Sequence, residues 1–276
     1  MDLKTSIILA IILLMLSSCQ DVIDLDVPDG EVQLVVDGWL TDQEGEKQVL
    51  LSTTANYFDN TETPFVANAQ VVIYNQDGAV ETLAEKSNGV YVTDFVGQIG
   101  ETYHLYIRTA SGEEYESNPE ELRAVPAITA VYSEFKEETA FEDEGYYVSI
   151  DTNEPLGVGD HYRWKQYVNG EYLNKPFDLL YASDEFVDGN PILGFEVTIN
   201  EPLELGDDYL IQQLSISEEA FEFFSQLQTQ TAFIGSLFDS PPAALNGNIV
   251  NLDPSGKKAL GYFGVSAVSE KGMVIE

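Results

Sequence analysis

The chain has 276 residues, enough for one large or two modest domains that each bury a core. Its 12 Lys and Arg stand against 48 Asp and Glu, a formal net charge of -36, which repels phosphate backbones and anionic headgroups and so argues against nucleic-acid binding and electrostatic adhesion to membranes. A hydrophobic content of 44% with 11% aromatics excludes a disordered chain, and a single Cys excludes an internal disulfide and any thiolate cluster for zinc or iron–sulfur.

Met1 to Thr5 is a short polar start carrying Lys4, and the apolar stretch Ser6 to Leu16 (SIILAIILLML) leads to Ser17, Ser18 and the sole cysteine, Cys19. This is the three-part form of a secretory signal peptide, assigned to residues 1–18. The run is about half of the roughly 20 residues that cross a bilayer, so it reads as a cleavable segment. Leu16-Ser17-Ser18-Cys19 resembles the bacterial lipoprotein signal. In that class the cysteine sulfur receives a diacylglycerol, the chain is cut just before it and the new amino terminus is usually acylated as well. Two or three acyl chains give stable anchoring where one is marginal. A covalent lipid on Cys19 is therefore expected, with no other cofactor; an ordinary signal peptide with a chance cysteine is the alternative. Residues 19–30 form an acidic leader in which Asp21, Asp24 and Asp26 resemble the export signal of Bacteroidota lipoproteins displayed on the outer face of the outer membrane. The stretch Asp24 to Gly30 has a passing likeness to a calcium loop, but Pro28 displaces the third ligand position and no terminal glutamate follows at the proper distance, so no metal is assigned there.

From Glu31 apolar and β-branched residues recur at period two: VQLVVDGWL (32–40), EKQVLLSTT (46–54), AQVVIYNQDGAVETL (69–83), GVYVTDF (89–95) and TYHLYIRTASGEEYES (102–117). Asp77-Gly78 and Ser111-Gly112 fall between such runs as hairpin signals. A β-sandwich over residues 31–125 is predicted, with Asn118 to Pro126 as a linker. The second domain, 126–276, continues β-rich through ITAVYSEF (128–135), the acidic loop KEETAFEDEG (136–145), YYVSIDTN (146–153), HYRWKQYVNGEYLN (161–174), FEVTINEPL (195–203), DYLIQQLSIS (208–217) and KKALGYFGVSAVSEKGMVIE (257–276). Asn169-Gly170 is its clearest hairpin signal. One amphipathic helix is predicted over about 217–231, capped by Ser217, with Ala220, Phe221, Phe224, Leu227 and Thr231 on one face.

Chemistry is sparse. His104 and His161 lack metal-ligand spacing, and GxSxG, Walker A and GxGxxG patterns are missing, so no catalytic residue and no metal ligand is assigned. Carboxylates are too abundant for any pair to mark an acid/base couple, and the acidic loop Glu137 to Glu144 reads as solvated surface, with weak cation association as the alternative. Aromatics offer the binding candidates: Tyr162 and Trp164 on one face of a strand, Tyr167 on the other with Tyr172 nearby, and Tyr57 and Phe58 in the loop from Asn56 to Pro64.

Cys19 with the acids behind it, "LVVDGWLTDQEGEKQVLLSTTANYFD" (34–59), "GVYVTDFVGQIGETYHLYI" (89–107), "HYRWKQYVNG" (161–170), "FDSPPAALNGNI" (238–249) and "GYFGVSAVS" (261–269) together resemble one family, the Bacteroidota lipoproteins described as domain of unknown function 4249. The resemblance implies an outer-membrane lipoprotein with an N-terminal immunoglobulin-like or carboxypeptidase-regulatory-like β-sandwich followed by a second β-rich domain, a mainly β fold with one helix. It also implies a TonB-dependent outer-membrane receptor as partner, and with it an accessory role in nutrient uptake. A free-standing adhesin or structural lipoprotein and a hydrolase with an unrecognised carboxylate site are the alternatives.

Overall fold

Strict alternation in LVVDGWLT makes β1 (Leu34–Thr41), which buries Leu34, Val36, Gly38 and Leu40 and turns Val35, Asp37, Trp39 and Thr41 outward. The computed structural model describes residues 31–55, 63–198, 201–231 and 245–276. The assigned signal peptide, Cys19, the acidic leader, Tyr57 and Phe58 lie outside the described residues. After β1 come β2 (Lys47–Thr53), β3 (Gln70–Asn75), β4 (Gly78–Thr82), β5 (Ala84–Ser87), β6 (Val90–Thr93), β7 (Thr102–Arg108), β8 (Glu114–Ser117) and the two-residue β9 (Glu120–Glu121). One sheet contains β1-β2-β6-β5 and the other β8-β7-β3-β4. Their inner faces share a core that includes Val36, Leu51, Ile73, Leu105 and Ile107. The segment expected as a linker is structured: β9 pairs with β7, and Glu120 and Leu122 are buried.

A second sandwich follows. β10 (Ala130–Lys136), β11 (Gly145–Asn153) and β15 (Pro191–Glu196) form one sheet; β12 (His161–Val168), β13 (Glu171–Tyr172), β14 (Leu180–Ser183) and β16 (Asp208–Ile216) belong to the other. Asn169 and Gly170 both have positive φ, 52° and 80°, which is the two-residue turn that Asn-Gly favours between β12 and β13. The strand expected over 195–203 starts earlier, at Pro191, and stops at Glu196.

The helix α1 (Glu218–Thr231) begins where expected, the Ser217 hydroxyl accepting the Ala220 N–H at 3.0 Å with Glu218 and Glu219 in the first turn. Its buried face is Ala220, Phe223 and Phe224, with Phe221 and Leu227 partly covered. Thr231 is not on that face; it is exposed and its hydroxyl bonds back to the Leu227 carbonyl at 3.0 Å. The pattern shifts because α1 packs on two surfaces at once, Tyr181 of β14 in the second sandwich and Trp39 of β1 in the first.

The last strands return to both sandwiches. β17 (Ile249–Asn251) adds to β8, and β18 (Ala259–Ser266) pairs in parallel with β1 along its whole length and puts Phe263 and Val265 into the first core. After Ala267 the chain continues as β19 (Val268–Val274), which pairs with β16 in the second sandwich. A cut at 125/126 would therefore remove the edge strand of the first sheet, and Val32–Glu276 form one unit. Among the described residues the fold is mainly β with one α-helix, in agreement with the sequence reading.

Candidate functional site

Alternation along β12 sorts the aromatic candidates. Tyr162 and Trp164 point inward, 4% and 5% exposed, in the core of the second sandwich. Their polar tips are satisfied there: the Tyr162 hydroxyl donates to Glu154 Oε1 at 2.8 Å and the Trp164 indole N–H to Gln213 Oε1 at 3.1 Å. Those two residues hold the fold and present no surface to a ligand. Tyr167 is half-buried on the outer face, its ring 5.2 Å from that of Tyr172 and its hydroxyl donating to Gln212 at 3.3 Å.

The same outer face carries Arg163 and Lys165, which are not among the aromatic candidates. Two cations at i and i+2 are conspicuous in a chain with 12 Lys and Arg against 48 acids, and that was the available signal. The Arg163 guanidinium lies 4.4 Å from the centroid of Phe224 on α1 and 5.9 Å from that of Trp39 on β1. Its Nη2 donates to the Tyr172 hydroxyl at 2.9 Å, while its Nε is buried and makes no hydrogen bond. Lys165 is half-buried beside it, with its ammonium 5.6 Å from the Tyr172 ring centroid. Neither cation makes an ion pair among the described residues. Burial, and secondarily the like charge of Arg163, push the Lys165 ammonium down to about 8, against a smaller opposing pull from Asp37.

Trp39 is fixed from below and from the side. Its indole N–H donates to Ser266 Oγ at 2.8 Å, and it lies so close over Gly264 that a Cβ there would sit 2.4 Å from the ring. Trp39, Tyr167 and Tyr172 thus supply aromatic surface around the guanidinium of Arg163 and the ammonium of Lys165. That donor set suits an anionic group, carboxylate or phosphate, attached to an apolar or π-rich body.

The other possibilities are weaker. A 320 Å³ cleft at the end of the second sandwich is lined by Gln166, Asn169, Glu201, Glu204 and Asp207, and its cation, Lys175, is already paired with Glu201 at 2.9 Å. His104 stacks on Tyr74 at 5.2 Å in the first sandwich, whereas His161 packs against Phe221 at 4.9 Å in the second, so they share no site. The acidic loop at 137–144 is exposed and held to Lys136, which pairs with Glu142 at 2.7 Å. Among the described residues one set of carboxylates, Glu154, Asp160 and Asp184, is placed to share a metal ion. No helix among the described residues is long and apolar enough to cross a membrane.

A family model described as domain of unknown function (DUF4249) matches residues 20–272. No curated protein matches the chain.

Proposed function

The chain belongs to the DUF4249 family, and on that premise we propose that it is a lipid-anchored outer-membrane lipoprotein, facing outward, that acts as a binding or accessory subunit of a TonB-dependent nutrient-uptake system. The anchor rests on the sole cysteine: Cys19 ends an apolar run that is too short to span a bilayer and follows a branched residue and two small ones. The binding role rests on one observation above all, the cations Arg163 and Lys165, without an ion pair among the described residues, set among Trp39, Tyr167 and Tyr172 in an otherwise acidic molecule. Two partly buried cations among aromatic rings suit a receptor for an anionic nutrient. The body that is captured would carry a carboxylate or phosphate and an apolar or aromatic portion.

A mild-detergent pull-down of the tagged chain from its native outer membrane, with Cys19→Ala beside it, tests this reading. A stoichiometric TonB-dependent receptor in the wild-type sample, lost with the anchor, is the expected result. Recovery of a membrane-anchored chain with no receptor would remove the accessory role and favour a free-standing adhesin.

A further inference from the structure

The β11–β12 and β14–β15 loops both cross between the two sheets of the second sandwich, and they bring Glu154, Asp160 and Asp184 together, with one carboxylate oxygen of each within 4.8 Å of the others. Glu154 is 5% exposed; Oε1 accepts the Tyr162 hydroxyl, while Oε2 is buried and has no hydrogen-bond partner. Asp184, also buried, accepts the Gly159 N–H on both oxygens, at 2.9 and 3.1 Å. Asp188 contributes a further nearby negative charge, with its Oδ1 already accepting the Gly157 N–H at 2.6 Å. The basic side chains that face the group are Arg123 and His161, both beside Asp160. Arg123 contacts the Gly159 carbonyl at 3.4 Å and Glu121 at 3.8 Å, and no Lys or Arg among the described residues pairs with any of the three carboxylates.

A buried carboxylate oxygen without a donor is costly, and two more carboxylates beside it raise that cost. Two remedies exist, a proton or a cation. A single proton neutralises one charge and leaves the others repelling; a divalent ion neutralises two and gives Oε2 a partner. Burial and the neighbouring acids push the Glu154 and Asp160 carboxyls above their ordinary range, as such crowding requires. An all-oxygen donor set belongs to a hard cation, and the exposed side of Asp160 leaves room for water in the remaining positions.

We propose that Glu154, Asp160 and Asp184 bind a calcium ion that ties the two crossover loops together. The site is independent of the accessory role proposed above.

The test uses the full chain purified in mild detergent, stripped with EDTA, and followed by thermal unfolding and calorimetric titration with calcium chloride. Calcium should raise the melting temperature with an affinity on the order of 10⁻⁴ to 10⁻³ M, the range of extracellular modules. Glu154→Gln and Asp160→Asn should each weaken binding by about tenfold or more, since affinity follows the charge of the ligand set. Asp160→Asn guards against loss of folding, because its side chain lies at the half-exposed edge of the group. Asp143→Asn, in the distant acidic loop, should leave the response unchanged. An unchanged melting temperature in folded wild type, or a calcium response that survives both substitutions, would overturn the site. So would Glu154→Gln raising stability in a chain blind to calcium, which would identify a shared proton instead.

Discussion

The hydroxyl of Tyr262 on β18 donates to the carboxylate of Glu120 on β9, and both side chains are buried. Burial raises the Glu120 carboxyl above its ordinary value, against smaller opposing effects of the hydrogen bonds from Tyr262 and Ser217. The folded state thus holds this proton more tightly than the unfolded chain. The resulting stability is fully present below the unfolded carboxylate value, 4.5, and is lost as pH rises through the raised folded value. Glu120→Gln should flatten that decline in urea-unfolding measurements from acid to neutral pH. Tyr262→Phe keeps the ring against Phe223 and Trp39 but removes the donor, and should cost about 1–3 kcal/mol at neutral pH, where the carboxylate most needs it.

Gly264 lies beneath the indole of Trp39, where an added Cβ would meet ring carbons at 2.4 to 2.6 Å. Gly264→Ala must therefore displace Trp39 or the strand. Overpacking of this kind costs about 1–3 kcal/mol. The protein has 2 Trp, so a Trp164→Phe background isolates the Trp39 signal. The expected outcome is a red-shifted Trp39 emission with a lower urea midpoint, and an unchanged spectrum would mean the indole is not held as described.

The first level of this architecture was legible and the second was not. Period-two alternation and Asn169-Gly170 announce strands and a hairpin because their signals are local. The same alternation placed Tyr162 and Trp164 together on one face of β12, yet only the partner strand β16, with Gln213 and Tyr209, decides that this face is core. The parallel union of β1 and β18 joins segments more than two hundred residues apart, with no turn or crossover to announce it. The Arg163 site depends on that union, since Trp39 and α1 reach β12 only when both sandwiches have closed. Glu120 illustrates the converse: an acid in a proline-flanked stretch reads as linker until Tyr262 arrives from the far end of the chain.

Lys165 should titrate near neutrality. Its ammonium is pushed down to about 8 by burial and by Arg163, so the unfolded chain binds the proton more tightly. Its contribution to stability is correspondingly smallest below pH about 8 and grows as pH rises towards the unfolded value of 10.5. Acetylation by acetic anhydride, read peptide by peptide in the mass spectrometer across pH 6 to about 10, should show Lys165 with a midpoint near 8. Phenyl phosphate should protect Lys165 below that midpoint and lose its grip above it, as the charge disappears. An ordinary lysine profile at Lys165, or protection that does not depend on pH, would count against an anion site.

The fragment 31–125 should fail to fold alone. Its sheet would lose β18, leaving the parallel edge of β1 unpaired from Leu34 to Thr41, and its core would lose Phe263, a fully buried side chain, together with Val265 and Ile249. Removing one buried Phe costs about 3–5 kcal/mol, a large part of the roughly 5–15 kcal/mol that holds a domain together, and the exposed edge invites pairing with other chains. Far-ultraviolet circular dichroism and size-exclusion chromatography of this fragment should show an unfolded or aggregated species. A fragment in which residues 245–267 are joined to it through a flexible linker that allows the parallel register should recover a cooperative transition, because β17 and β18 then complete both sheets. Cooperative folding of 31–125 by itself would show that the return of the C-terminal strands is an addition to a finished domain, not its last structural part.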